Sequence, residues 1–189
     1  MKRMGKLARH RATYADLCAV PEHLVAELIG GDLYTSPRPA PPHARASTSL
    51  GTLVTGPFDF GRGGPGGWVI LFEPELHLGR DVLVPDLAGW RRERMPKLPE
   101  GAAVELAPDW VCEVQSPTTA AHDRVRKMPI YLRAGVTHLW LIDPLVQTVD
   151  VFRSQDARWS LLVTLEGDTL ARIEPFDAVE LDLSLLWQR

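Results

Sequence analysis

Apolar and polar positions fall into short blocks along this chain, and most of the blocks predict strands. Residues 1–12 are basic (Lys2, Arg3, Lys6, Arg9, Arg11) and predict a frayed arm ahead of a single domain over 13–189. Thr13 is placed to cap a short helix through Leu17, which Pro21 ends. Leu24 to Ile29 and Asp32 to Thr35 flank Gly30-Gly31, a two-residue hairpin signal. Ser36 to Pro42 predicts an extended connection, and a helix follows from about His43 to Thr55 with Ala46, Leu50, Leu53 and Val54 as its apolar stripe.

Beyond the glycine-rich loop Gly61 to Gly67, β-branched and aromatic runs dominate. Strands are predicted over Trp68 to Phe72, Val82 to Trp90, Trp110 to Gln115, His138 to Asp143 and Thr148 to Arg153, with 91–108 as a polar loop. Between the third and fourth lies one helix, opened by Ser116-Pro117-Thr118 and stopped by Gly135. Pro129 inside it removes a hydrogen bond and predicts a kink or restart. Trp159 to Leu165 and Asp168 to Ile173 suggest a further hairpin, and Leu181 to Trp187 a segment packing back on the core. The fold class is mixed α/β, with one long helix crossing between strands.

Composition narrows the function. At 189 residues and 45% apolar content, the chain can bury a substantial core and is not disordered. No apolar run approaches the ~20 residues of a spanning helix, and no apolar segment follows the basic start, so a cytoplasmic protein is expected. Cys18 and Cys112 have neither disulfide nor zinc spacing. A net charge of −3 argues against coating nucleic acid, although residues 1–65 hold eight basic and five acidic side chains and leave room for a local contact surface. Helix-turn-helix and zinc-finger signatures are missing, as are a phosphate-cradling GxxxxGK[ST] loop and a GxSxG nucleophile elbow.

Chemistry gathers at a few acids. Asp86 in Val84-Pro85-Asp86 and Glu113 in Val111 to Gln115 each sit within an apolar strand pattern, where a carboxylate is costly unless it meets a cation or donors. On neighbouring strands the two would form a hard-oxygen site of the kind Mg²⁺ or Mn²⁺ prefers. The alternative is that each lies at a strand end, solvated or paired with arginine. Asp109 repeats the Pro-Asp pair but stands about 13 Å from Glu113 along one strand, too far to share an ion. Asp123 and Lys127, spaced i, i+4, form either a surface ion pair or a lysine aimed at the carboxylates. Glu27 stands out in a largely apolar strand, and His43 opens a helix.

The run from Ala107 to Arg153 resembles the Uma-type putative restriction endonuclease family. That family's pattern is a Pro-Asp strand, an "APDLVVEVLSPST" strand, a helix with Asp and Lys, and "YRRAGVxxYWLVDP". Val84-Pro85-Asp86, Ala107 to Thr118, Asp123 with Lys127, Tyr131 to Val136 and Trp140 to Pro144 supply these features. Glu27 to Leu33 is similar to the family's "ELIDGEL" hairpin, and His43 to its helix-opening histidine. The resemblance implies a PD-(D/E)XK nuclease core, a mixed sheet flanked by helices. It also implies Asp86 and Glu113 as ligands of Mg²⁺ or Mn²⁺, with Glu27 as a further carboxylate. Gln115 would take the place of the motif's lysine; it can hold a water but brings no charge, so the amine must come from Lys127.

The expected function is metal-dependent hydrolysis of DNA phosphodiester bonds, with a homodimer suited to cutting both strands. Arg91, Arg92, Arg94 and His43 are candidate substrate contacts, although the three arginines equally fit a solvated charge cluster. The competing expectation is a nuclease-fold binding or assembly module that no longer cuts.

Overall fold

A computed structural model describes residues 11–117 and 119–188; the arm over residues 1–12 falls almost wholly outside them, as does Thr118. Thr13 caps α1 (Tyr14–Cys18) through a capping box: its hydroxyl accepts from the Asp16 N–H, and the Asp16 carboxylate accepts from the Thr13 N–H at 2.7 Å. β1 (Leu24–Ile29) and β2 (Asp32–Pro37) form the expected hairpin. Its turn needs positive φ at both Gly30 (63°) and Gly31 (90°), which a side chain would oppose.

α2 (Pro41–Val54) begins two residues before His43, because proline is tolerated in a first turn whose N–H groups have no helical partner. It runs into a π turn, Thr55–Asp59. Four strands follow: β3 (Trp68–Phe72), β4 (Glu75–Leu78), β5 (Asp81–Leu83) and β6 (Leu87–Arg91). β7 (Ala103–Val104) lies within the stretch expected to be loop, ahead of β8 (Trp110–Val114). The crossover helix is broken into α3 (Ala120–His122), a π turn over Asp123–Lys127, and α4 (Met128–Ala134), which ends at Gly135 in the left-handed conformation. β9 (His138–Asp143), β10 (Thr148–Gln155), β11 (Arg158–Glu166), β12 (Leu170–Ala171), β13 (Leu181–Asp182) and α5 (Ser184–Trp187) complete the chain.

A five-stranded sheet runs β2-β1-β5-β4-β7, and a six-stranded sheet runs β11-β10-β9-β8-β6-β3. β8 and β9 are parallel, as a helical crossover requires, and the remaining neighbours in the six-stranded sheet are antiparallel. One face of that sheet carries Trp68, Trp110, Trp140 and Val151 with Leu50 and Val54 of α2. The other carries Val69, Trp90, Val111 and Leu141 with Ile130 and Tyr131 of α4. Phe176 sits among Phe58, Trp68, Trp110 and Trp140, with ring centroids 4.7–5.7 Å away. Gly89 is central in β6 because a Cβ there would lie 3.1 Å from the Trp110 ring and 3.3 Å from that of Trp68.

Two strand expectations are corrected. Val82 to Trp90 is not one strand: β5 belongs to the five-stranded sheet and β6 to the six-stranded one. The chain leaves the first sheet at Pro85, which has no N–H for a ladder, and the Val84 N–H donates instead to the Glu27 carboxylate at 2.8 Å. The segment 159–165 does not pair with 168–173. It belongs to β11, which pairs with β10, whereas β12 pairs with β13. Local propensity cannot distinguish these partners, because the choice is made by long-range register. The restart near Pro129 is present. The Met128 N–H bonds back to the Asp123 carbonyl, and Pro129 enters the first turn of α4.

Candidate active site

The switch between sheets builds the site. Leu87 pairs with Cys112, so Asp86 follows on beside Glu113 at the same end of β6 and β8. Glu27 comes from β1, His43 from α2, and Asp123 with Lys127 from the second π turn. Glu27, His43, Asp86, Glu113, Asp123 and Lys127 line one cavity of about 500 Å³. In an ordinary exposed helix the i, i+4 spacing of Asp123 and Lys127 would make a surface pair. Here both side chains are turned inward and are only 4% and 3% exposed. π turns recur at functional sites, and this one carries two of the cavity's charged groups.

Lys127 is the hub. Its Nζ lies 2.8 Å from Glu113 and 2.9 Å from Glu27, with Asp123 at 4.0 Å. Tyr131, one turn further along the helix, donates to the same Glu113 oxygen at 2.5 Å. The role of Tyr131 was not anticipated, although its i, i+4 spacing from Lys127 places it on the same helix face. Asp86 is held on its other side. One oxygen accepts the Val114 N–H at 2.7 Å, and the second faces His43 Nε2 at 3.3 Å and the Ser47 hydroxyl at 3.5 Å.

Three carboxylates, Glu27, Glu113 and Asp123, share the one ammonium of Lys127, and Asp86 faces His43 beside them. Burial pushes the Glu113 carboxyl well above its usual range, against the pull of Lys127. Burial likewise raises Asp123, to about 6, with Glu27 and Asp86 adding to the shift. Burial opposes the charge on Lys127, but Glu113, Glu27 and Asp123 outweigh it and its pKa is raised. Burial would lower His43, and the Asp86 carboxylate reverses that shift.

A folded-state pKa above the unfolded value gives stability that is present at low pH and lost as pH rises through the folded value. Asp123 should therefore weaken the fold between about pH 4 and about pH 6, by on the order of 2–3 kcal/mol. Urea unfolding of wild type and Asp123→Asn should show the variant gaining stability relative to wild type across that window. A stability difference independent of pH would contradict the assignment.

The other named residues lie elsewhere. Gln115 is buried outside the cavity lining, its amide 3.5 Å from the Ala120 carbonyl and its oxygen 3.4 Å from Arg124. Arg91 ends β6, about 13 Å along the strand from Leu87, and stacks on Trp68 at 4.1 Å. Arg92 pairs with Asp59 at 2.6 Å, and Arg94 with Asp109 at 2.6 Å. Asp109 is thus an anchor at the far end of the sheet. The cavity lining also includes Arg38, largely exposed and paired with Glu73 at 3.2 Å.

Among the described residues, no group of three or more His, Cys, Asp or Glu side chains is arranged as a metal cage. The donor set instead suits an ion that keeps most of its water. Asp86 and Glu113 each have one oxygen committed to a strong donor, and both reach the cavity beside Val114. No helix among the described residues is long and apolar enough to cross a membrane.

A crystal structure titled as a putative nuclease belonging to DUF820 from Anabaena variabilis superposes with a TM-score of 0.74 at 24% identity, covering 93% of this chain and 97% of that one. That likeness is one of fold, a mixed sheet flanked by helices. Among curated protein sequences none matches the chain. The sequence profile of the Uma2 family, described as "Putative restriction endonuclease", matches residues 11–185, and the chain belongs to that family.

Proposed function

We propose that the chain is a divalent-metal-dependent endonuclease that hydrolyses phosphodiester bonds in DNA. The observation that carries this reading is the placement of Asp86 beside Glu113 in the lining of a cavity whose four buried carboxylates outnumber its one ammonium. Such a cavity attracts a compact cation of high charge, and its oxygen donors suit Mg²⁺ or Mn²⁺. Asp86, Glu113 and the Val114 carbonyl would hold the ion. The chemistry supplied there is Lewis-acid activation of the phosphodiester and of the attacking water.

The chain's own groups prepare that site. Lys127 opposes the protonation of Glu113 that burial favours, and offers a fixed positive charge where negative charge grows during phosphoryl transfer. Tyr131 fixes the orientation of Glu113, and the Val114 N–H does the same for Asp86. Because Gln115 is not among the residues lining the cavity, Lys127 would supply the amine that a motif lysine brings. The competing reading, a module that no longer cuts, draws on the way Lys127 already satisfies Glu27 and Glu113. Wild-type protein with Mg²⁺ is expected to nick supercoiled plasmid, and both EDTA and Glu113→Gln should abolish nicking. Nicking that survives either treatment would overturn this reading.

A further inference from the structure

A second concavity lies next to the first. It is a groove of about 540 Å³ between α2 and the edge strand β3. It starts beside the candidate active site. Ser47, which faces Asp86, lines it, as does Leu87, the residue after Asp86. Phe72 also lines it and precedes Glu73, a residue of the catalytic cavity whose N–H bonds to the Asp86 carbonyl. One wall carries Thr48, Thr52 and Thr55, and among the described residues no acidic side chain lines the groove. Two aromatic rings flank it in water: Phe60 is 64% exposed and Phe72 56% exposed.

These rings are unexplained by the core. The residues of β3 on the same face as Phe72, Trp68 and Ile70, are buried, so Phe72 is where that apolar stripe emerges into solvent. Phe60 follows the π turn Thr55–Asp59. The Arg62 guanidinium lies 5.8 Å from its ring, and Arg92, half exposed, bonds to Asp59 and to the Trp68 carbonyl at the end of β3 away from Asp86. The groove therefore runs from the acidic cavity, past hydroxyls and two open aromatic faces, towards two arginines.

That combination fits one ligand chemistry. A single nucleic-acid strand presents bases that stack on aromatic rings whatever their identity, and phosphates that accept from hydroxyls and arginines. A duplex keeps its bases stacked inside and cannot use exposed phenylalanines in this way. We propose that this groove is the track of an unpaired strand leaving the active site, with Phe60 and Phe72 as base-stacking platforms. The inference rests on nucleic acid being the substrate and specifies its form: a single-stranded or locally melted segment rather than continuous duplex.

The test is fluorescence anisotropy in EDTA, where cleavage is not expected, using fluorescein-labelled oligo(dT) and a labelled hairpin duplex. Wild type should bind oligo(dT) more tightly than the duplex. Phe60→Ala and Phe72→Ala should each weaken oligo(dT) binding about tenfold or more. Both side chains are exposed, so the variants should fold, and Leu170→Ala, at 62% exposure on β12, should bind as wild type does. Unchanged oligo(dT) binding in both phenylalanine variants would overturn the track while leaving the endonuclease reading in place. So would variants that change the oligomeric state in sedimentation but not strand binding, which would make the groove a protein interface. Failure of wild type to bind either probe would count against both.

Discussion

Replacing Lys127 with methionine should destabilise the protein by about 3–5 kcal/mol at neutral pH, the usual result of stripping one partner from a buried ion pair. The lysine is 3% exposed and lies within 3 Å of two carboxylates that are themselves buried. Methionine nearly fills the volume but leaves Glu27, Glu113 and Asp123 facing one another without a cation. The Glu113 and Asp123 pKa values, already raised, should then rise further. A carboxyl whose folded pKa is raised contributes stability that is full at low pH and lost as pH rises. The cost of Lys127→Met should thus be largest at neutral pH and shrink towards about pH 4. Urea unfolding at both pH values measures it, and a variant as stable as wild type at neutral pH would contradict the role of Lys127 as the hub.

Asp86→Asn should behave in the opposite way, leaving the fold intact and removing function. The asparagine oxygen can still accept the Val114 N–H, and its amide can face Ser47 and His43, so the local hydrogen bonds survive. A stability change of about 1 kcal/mol is expected. The loss is the negative charge beside Glu113. If Asp86 binds the ion directly, plasmid nicking should fall by more than the roughly 100-fold that loss of a residue behind a metal ligand costs. Nicking retained by the Asp86→Asn variant would remove Asp86 from the site.

Local features were the legible part of this fold. Thr13 specified a cap, Gly30-Gly31 specified a hairpin, and Pro129 marked the helix restart. Each is a short-range effect of backbone sterics or capping. The neighbouring positions of Asp86 and Glu113 were also legible, because carboxylates inside apolar runs call for partners. The separation of Val82 from Trp90 into two sheets was harder to see, since apolar pattern outweighed the single warning of Pro85. The pairing of β11 with β10 depends on register between distant segments and has no local signature. Lys127 illustrates the limit most clearly. Its spacing from Asp123 is the same for a surface pair and for a buried hub, and the π turn decides between them. The Arg91, Arg92 and Arg94 cluster looked attractive as charge, yet it stands at the opposite end of the sheet, tied to Trp68, Asp59 and Asp109.

The central claim is that an acidic cavity organised by Lys127 holds a divalent ion for phosphodiester cleavage. Its most direct test is calorimetric titration of Mg²⁺ and Mn²⁺ into wild type and Asp86→Asn. Both ions should bind wild type saturably and the variant not at all, while the variant's thermal melt stays native-like. Wild-type protein that binds neither ion would contradict it.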